Sequence, residues 1–410
     1  MSELIKLEMK KLCRRKLTII VTLCCFFSTI LFFSQPYLQY QALDENGTML
    51  SGSDAVSYKH KCYDNISGIL TEERITKDLQ EYQEIYNNPK NLISQGGETR
   101  FIDKIQYGYL SPRTSYLNML GDTYADNEMG YLNIPEISLE DGAHFYQTRD
   151  ETITRRINSD SNFTGAEKTY WKNKSSKIQK NYKYGYVLGW SAFGNTVQTL
   201  IICILGICIT AAPVFANEYQ TGADAVVLST RFGKTKVVYA KIISSIMFGT
   251  IVFAINAATA LLLPLLTFGA DGGNLPLQIM DSTCPYVLTF SQSAFVLIGI
   301  AYIVMIGLLS FTLLCSAKMS SAFPVLIIDV LIIFLPTFLR IPTTNLWQHI
   351  YHLFPDQTLR GLSAFNEYFS YALGNIVLNL FGMIILVYTV IVFAALPLAG
   401  RIFSTHQVQS

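Results

Sequence analysis

The chain has 410 residues, of which 50% are hydrophobic and only 15% are charged, and its mean hydropathy is +0.30. These values exclude an ordinary soluble globular protein and are typical of a membrane protein. The 31 Lys and Arg residues nearly balance the 30 Asp and Glu residues, so the net charge of +1 gives no reason to expect a nucleic-acid partner.

Apolar residues are concentrated in runs long enough to cross a membrane. A helix needs about 20 such residues to span roughly 30 Å of hydrocarbon. Six candidate spans are present: 17–33, 197–216, 237–268, 287–317, 322–339 and 375–399. The sequence therefore predicts an all-α polytopic membrane protein with six transmembrane helices.

Residues 1–16 precede the first span and carry Ile5, Met9 and Leu12 at helical spacing. This pattern predicts an interfacial helix whose cations meet anionic membrane lipids. The cations before the first span are Lys6, Lys10, Lys11, Arg14, Arg15 and Lys16. By the positive-inside rule they place the N-terminus in the cytoplasm, and six spans return the C-terminus to the same side. No small-x-small cleavage pattern follows Phe33, which favours an uncleaved first transmembrane helix over residues 17–34.

Residues 35–195 form a hydrophilic block that is too long for a loop without its own fold, and they predict an extracytoplasmic domain. Thr71 is expected to cap a helix that runs to Asn87, and a second helix is expected over 139–157. We predict that this domain is mainly helical. Cys62 and Cys284 lie outside the spans, and the sequence leaves open whether they form a disulfide.

A charged stretch between the second and third spans, 217–236, is predicted to be cytoplasmic because it is basic. It predicts a helical extension through Glu218, then a short amphipathic helix, then a basic turn. Gly233-Lys234-Thr235 matches the end of a P-loop, but that motif needs Gly where Leu228 stands and a strand-to-helix turn. We therefore expect no nucleotide site in this chain.

Asp329 lies within the fifth span, roughly 10–14 Å from its start and so near the middle of the bilayer. A carboxylate at that depth costs about 3 kcal/mol and normally faces the interior of the helix bundle. Two interpretations stay open: a polar point on a substrate or ion path, and a hydrogen bond between helices. No Lys or Arg is buried with it, so the carboxyl group is expected to be either protonated or bonded to groups such as Asn256, Thr259, Tyr302, Asn379 or Tyr388, which the sequence cannot place.

Residues 340–373 precede the last span and combine apolar residues such as Trp347 and Phe354 with Pro342 and Pro355. Such a segment predicts short re-entrant helices in the outer leaflet.

The stretch after the second span resembles the coupling region of the ATP-binding-cassette type-2 exporter permeases. The usual form there is a Glu, then Gly-Thr, then Leu-Ser-x-Pro-x-Ser-Arg, then a basic residue at the start of the third span. The matching residues are Glu218, Gly222, Leu228, Ser229, Thr230, Gly233, Lys234 and Lys241. The chain departs from the family at Arg231, where Pro is usual, and at Gly233-Lys234, which replace Ser-Arg.

The resemblance implies that a coupling helix within 217–236 docks in a cleft of a separate cytoplasmic ATPase subunit. The residues it implies for this contact are Glu218, Gly222, Leu228, Ser229, Thr230, Arg231 and Lys234. It also implies that ATP and Mg²⁺ are held by the partner, that this chain has no catalytic residue, metal or cofactor of its own, and that it pairs with a second copy or a homologous permease.

The function expected from the resemblance is export of an amphipathic substrate, such as an antimicrobial peptide, a lipid or a drug, across a bacterial plasma membrane. A second hypothesis is a membrane sensor or scaffold whose outer domain binds a ligand and signals inward without transport. The sequence does not identify the substrate.

Overall fold

The computed structural model describes residues 1–95, 98–124, 134–339, 345–374 and 376–406. Helices dominate these residues, as the sequence predicts. Within the described ranges, five helices or helical runs are long and apolar enough to cross a membrane: Lys16–Leu38, Leu188–Gln220, Lys236–Phe268, Phe290–Lys318 and Leu380–Thr405. A further apolar helix, Ala322–Phe338, has 17 residues, or about 25 Å of length, which is slightly short of the hydrocarbon thickness.

The helices are, in chain order, α1 (Ser2–Arg14), α2 (Lys16–Leu38), α3 (Gly52–Ile66), α4 (Glu72–Asn87), α5 (Asp103–Ile105), α6 (Ser111–Tyr124), α7 (Leu139–Gly142), α8 (Phe145–Ser159), α9 (Gly165–Ser175), α10 (Leu188–Thr196), α11 (Leu200–Ala211), α12 (Pro213–Gln220), α13 (Ala223–Ser229), α14 (Lys236–Phe268), α15 (Phe290–Lys318), α16 (Ala322–Phe338), α17 (Asn345–Tyr351), α18 (Pro355–Thr358) and α19 (Leu380–Thr405).

The strands are β1 (Gln41–Leu43), β2 (Met49–Ser51), β3 (Gly68–Ile69), β4 (Leu92–Gln95), β5 (Glu98–Phe101), β6 (Lys183–Tyr184), β7 (Ser370–Leu373) and β8 (Ile376–Asn379). They form antiparallel pairs, β1–β2, β3–β6, β4–β5 and β7–β8. These pairs leave no signal in the sequence, because strands of two to four residues are too short to show an alternating pattern.

The apolar bundle is organised around α11, which packs against α2, α14, α15 and α16. The contact with α2 is close because Gly206 has no side chain: a Cβ atom there would lie 2.1 Å from the Sγ atom of Cys25. Small residues allow such close helix contacts in membranes. The helix α15, in turn, packs along α19.

Several helix boundaries differ from the predicted ones. The first span continues to Leu38, and the second begins at Leu188, so the expected borders of the outer domain at 35 and 195 fall inside helices. The last span begins at Leu380, because residues 376–379 form β8 and the Asn379 side chain accepts a hydrogen bond from the Gly382 amide at 2.9 Å. Position 375 lies outside the described residues.

The predicted helix cap at Thr71 is confirmed. The Thr71 hydroxyl accepts a hydrogen bond from the Arg74 amide, and α4 extends from Glu72 to Asn87. Satisfying a free amide at the first turn stabilises a helix end by about 1 kcal/mol. The helix expected over 139–157 is present as two helices, α7 and α8.

The hydrophilic block packs against two later segments, 269–289 and 345–374. The Trp171 indole donates to the Ser370 hydroxyl at 3.1 Å, and Arg156 donates to Thr283 at 2.8 Å. The ammonium group of Lys174 lies 3.8 Å from the centre of the Tyr286 ring. Burial lowers the pKa of Lys174 to about 8.

Cys62 and Cys284 are free thiols, so the disulfide that the sequence left open is not present. Cys284 is buried, and its thiol lies 3.3 Å from the Phe365 carbonyl oxygen, to which it donates.

Of the predicted re-entrant segment, residues 340–344 lie outside the described ranges. The remainder forms α17, α18, a short 3₁₀ helix (Gly361–Phe365) and β7. This segment packs against the bundle at α10, where Gly194 approaches Leu362 so closely that a Cβ atom would lie 2.4 Å from the leucine Cγ atom.

Candidate functional site

The elements that carry the predicted coupling residues meet at one end of the bundle, opposite the hydrophilic block. We call this the α13 end. It comprises α1, α12, α13, the first turns of α14 and the last turns of α15 and α19, which contact one another.

Five charged residues meet at the α13 end, from α1 and its junction with α2 and from α12 and α14. We call them the Glu218 cluster: Glu8, Lys11, Arg15, Glu218 and Lys241. The Lys241 ammonium lies 2.7 Å from Oε1 of Glu218 and 3.1 Å from Oε2 of Glu8. The Lys11 ammonium lies 2.5 Å from the same Oε1 atom of Glu218. The cluster therefore joins α1, α12 and α14 by charge-assisted hydrogen bonds.

The Lys241–Glu218 pair in the cluster is withdrawn from water, which makes its pairing energetically important, whereas the Lys11 side chain is 45% exposed. The side chains of Lys241 and Glu218 are 1% and 3% exposed. Burial lowers the pKa of Arg15, while Glu218 and Glu8 raise it. Removing one member of a buried ion pair leaves the other uncompensated and typically costs 3–5 kcal/mol.

A second set of contacts fixes α12, which begins at a break before Pro213. Proline cannot donate a backbone hydrogen bond, and the helix start leaves amides free. The Ser316 hydroxyl on α15 accepts from the amides of Phe215 at 3.0 Å and Ala216 at 3.1 Å, and it donates to the Ala212 carbonyl at 2.6 Å. The start of α12 is thus fastened to α15.

The helix α13 is a separate element, set off from α12 by Gly222. Gly222 has φ +69°, a left-handed conformation that glycine adopts without steric cost. From this turn α13 directs Asp224 and Leu228 inward. The Asp224 carboxylate lies 3.5 Å from Nε2 of His406, which follows α19.

The opposite face of α13 and the turn after it are exposed. Val226 is 68% exposed and Phe232 is 41% exposed. Ser229, Thr230, Arg231 and Lys234 are also exposed. The surface is therefore a small apolar patch bordered by hydroxyls and two cations, which is suited to a groove in another protein.

Gly233 determines how the turn packs. A Cβ atom at Gly233 would lie 1.7 Å from the Val227 carbonyl oxygen, so no other residue fits without moving the turn away from α13. Gly233-Lys234-Thr235 accordingly lies in a helix-to-helix turn, not after a strand. The glycine that suggested a nucleotide motif serves to close this turn.

The comparison with protein families assigns the chain. A family model described as ABC-2 family transporter protein matches residues 3–407. The chain belongs to this family. Its members are membrane subunits of ATP-binding-cassette (ABC) transporters, which work with ABC ATPase subunits. No curated protein and no solved structure matches the chain.

In this ABC-2 family protein, the structure separates the predicted coupling residues into two groups. Glu218 and Leu228 are buried, whereas Gly222, Ser229, Thr230, Arg231 and Lys234 are exposed. The Glu218 carboxylate is thus bonded to Lys11 and Lys241 and does not form part of the exposed surface of α13.

Sequence reasoning missed several residues of the site. Ser316 and Glu8 could not be placed because they contact it from elements far away in the chain. Val226 and Phe232 are apolar residues in a charged loop, a signal that could have marked them as a binding surface.

The intramembrane residue Asp329 is fully enclosed at a junction of α15 and α16. The Thr312 hydroxyl lies 3.0 Å from both carboxyl oxygens, and Thr312 also donates to the Leu308 carbonyl at 2.9 Å. The groups that the sequence offered as possible partners of Asp329 bond elsewhere within the described residues. Asn256 bonds Thr29, Thr259 bonds Ile255, Tyr302 bonds Thr250, Asn379 caps α19 and Tyr388 bonds Leu353.

At the far end of this transporter subunit, a cavity of about 440 Å³ lies between the hydrophilic block and residues 348–370. Arg360 donates to both carboxyl oxygens of Glu367 there, at 2.6 and 2.8 Å. His352 also lines the cavity and is buried, and its Nδ1 atom has no hydrogen-bond partner among the described residues.

Proposed function

We propose that this chain is the permease subunit of an ABC exporter. In this proposal a separate cytoplasmic ATPase subunit hydrolyses ATP, and the permease uses the resulting motion to export an amphipathic substrate across a bacterial plasma membrane. Antimicrobial peptides, lipids and lipophilic drugs are the substrate classes considered. The observation that carries the proposal is the exposed face of α13, in a protein of the ABC-2 family.

The first step of the proposed mechanism is docking of α13 in the ATPase. Val226 and Phe232 supply an apolar patch, and Arg231 and Lys234 supply charge at its border. Association through a short helix in a groove depends on such anchors. The α13 end would then face the cytoplasm, with both termini, and the hydrophilic block would be extracytoplasmic.

The second step is transmission of ATPase motion to the bundle. The neighbouring helix α12 is bonded to α14 through Lys241 and Glu218, to α1 through Lys11, and to α15 through Ser316. A displacement of α13 would therefore act on several helices together. Packed helices have discrete arrangements, so a small displacement at one end can select between inward- and outward-facing states.

The proposed assembly contains two permease chains and two ATPase subunits. A single bundle of this size supplies half of a translocation path, and two ATPases close on each other around ATP. The second permease is a second copy of this chain or a homologous one.

A charge introduced on the exposed face of α13 tests the docking step. An ABC ATPase subunit that co-purifies with the wild-type permease is co-expressed with that permease, with Val226→Glu, or with the matched control Ile69→Glu. Both positions carry exposed aliphatic residues, at 68% and 58%, but Ile69 lies in the hydrophilic block. We expect Val226→Glu to lose ATPase co-purification and permease-dependent stimulation of ATP hydrolysis, while Ile69→Glu keeps both.

If Val226→Glu retains full co-purification and stimulation while still inserting and folding, the coupling proposal is wrong. Loss of ATPase binding in both Val226→Glu and Ile69→Glu would indicate general damage to the protein. The uncharged variant Val226→Ala then shows whether α13 tolerates a substitution at this position.

The cavity between the hydrophilic block and residues 348–370 is the observation that favours the sensor hypothesis. A protein that senses a ligand through the hydrophilic block without transport would bind that ligand there, and would show no substrate movement in proteoliposomes containing the ATPase. Substrate transport driven by ATP would favour the exporter.

A further inference from the structure

A groove of about 550 Å³ lies between α14 and α19 at the α13 end. Its floor is apolar, and its mouth carries cations and hydroxyl groups. The lining residues are Lys234, Thr235, Val238, Tyr239, Ile242, Ile243, Ile246, Leu396, Pro397, Gly400, Arg401 and Ser404.

The groove is open because α19 presents Gly400 to it. A Cβ atom at Gly400 would make ordinary contacts, 3.6 Å from Val238 and 3.9 Å from Ile242. A larger side chain at this position would therefore fit and would occupy the groove. Along α14, the apolar surface continues through Ile243 and Met247, which are exposed. The groove thus runs from a polar mouth into an apolar face of the bundle.

The cations at the mouth differ from those in the Glu218 cluster. Lys11 and Lys241 are paired with Glu218, whereas Lys234 and Arg401 are exposed and form no ion pair within the described residues. The Ser404 hydroxyl donates to the backbone carbonyl oxygen of Arg401, and the Arg401 guanidinium has no hydrogen-bond partner within the described residues. Two unpaired cations beside an apolar groove are complementary to a phosphate that carries an acyl chain.

We propose that this groove binds an anionic phospholipid of the leaflet at the α13 end. Its phosphate lies between Lys234 and Arg401, and one acyl chain follows Val238, Ile242 and Ile246. The assignment of this leaflet as the inner one rests on the proposed function. Basic pockets between membrane helices on that side recognise lipid headgroups.

A second copy of the chain fits this groove less well. A two-fold interface places the same patch on both partners, so Lys234 and Arg401 of one copy would face those of the other. Like charges in direct opposition disfavour such a contact. A free anion without an acyl chain would leave the apolar floor uncovered.

Native mass spectrometry of the purified chain without an ATPase tests the proposal. The protein is equilibrated with equal amounts of phosphatidylglycerol and phosphatidylcholine that carry the same acyl chains. We expect wild type to retain phosphatidylglycerol preferentially. In Arg401→Gln, the ratio of retained phosphatidylglycerol to phosphatidylcholine is expected to be about fivefold lower than in wild type, which is the effect of one surface cation. Arg401→Lys is expected to keep most of it.

Gly400→Leu fills the groove without changing charge, and it should reduce retention of both lipids. Lys318→Gln removes another exposed cation at the same end and outside the groove, and it should match wild type. Lys234 is not varied because it also belongs to the proposed coupling surface. Thermal unfolding in detergent verifies that each variant is folded.

Equal retention of the two lipids by wild type would overturn the proposal, as would wild-type retention in Gly400→Leu. A dimer that Gly400→Leu dissociates would instead identify the groove as an interface between copies. Because no ATPase is present, failure of lipid binding leaves the coupling proposal untouched, and failure of ATPase docking leaves this one untouched.

Discussion

Lys241 is a cation of the Glu218 cluster whose side chain is almost completely buried. The sequence marks it only as the basic residue at the start of the third span, yet its ammonium contacts both Glu218 and Glu8. We expect Lys241→Met to lower the free energy of unfolding by about 3 kcal/mol, because it leaves the buried Glu218 carboxylate with fewer partners. Thermal unfolding of the purified chain measures the effect.

The control for Lys241 is Lys318→Met, at an exposed position where the change should stay within about 0.5 kcal/mol. Adding Glu218→Gln to Lys241→Met should restore part of the loss, because it removes an uncompensated charge. Equal stability of Lys241→Met and Lys318→Met would show that the cluster contributes nothing.

Asp329 is bonded only to Thr312 among the described residues, which favours the structural interpretation of the two that the sequence left open. We expect Asp329→Asn to keep both stability and transport, since an amide can donate to the Thr312 hydroxyl while Thr312 donates to Leu308. Transport assays over a range of pH provide the measurement. Loss of transport or a shifted pH dependence in Asp329→Asn would instead place Asp329 on a substrate or ion path.

His352 makes the stability of the folded chain depend on pH. Burial, and after it the charge of Arg360, lowers the pKa of His352 from 6.5 to about 4. The unfolded chain therefore binds a proton below pH 6.5 that the folded chain does not bind until about pH 4. Stability from this residue is complete above pH 6.5 and falls as the pH drops from 6.5 to 4.

Melting temperatures of wild type and His352→Asn, measured at pH 7.5, 6 and 5, test this. Wild type should lose more stability than the variant over that range. Parallel profiles would show that His352 does not titrate as described.

At the scale of elements, α13 depends on two glycines with different requirements. Gly222 has a left-handed backbone but open space around it, whereas Gly233 lies against the Val227 carbonyl. We expect Gly233→Ala to displace the turn and abolish ATPase stimulation, while Gly222→Asn, which tolerates positive φ, keeps most of it. ATP hydrolysis by the co-expressed ATPase is measured in each case. Equal activity in the two variants would mean that the position of the turn does not matter for coupling.

The elements also show what the sequence could and could not provide. Hydropathy located the apolar helices, and the capping preference of threonine located the helix start at Thr71, because both signals are local. The Glu218 cluster joins residues more than 200 positions apart, and the contact of Asp329 with Thr312 depends on how two helices are rotated. Neither arrangement leaves a periodic or local signal. The short strands and the break at Gly222 were set by packing in the same way.

At the scale of the whole molecule, the chain has two unlike ends joined by an apolar bundle. One end holds the hydrophilic block, fastened to 269–289 and 345–374, and the other holds the Glu218 cluster and α13. This polarity is what an exporter subunit requires, because its energy source and its released substrate lie on opposite sides of the membrane.

The most direct test of this account is photo-crosslinking between the permease and the co-expressed ATPase. A photo-reactive amino acid replaces Val226 on α13 or, as a control, Ile69 in the hydrophilic block, both exposed. The account predicts a crosslink to the ATPase from position 226 and none from position 69. A crosslink from position 69, or none from position 226 in an assembled and active complex, would contradict it.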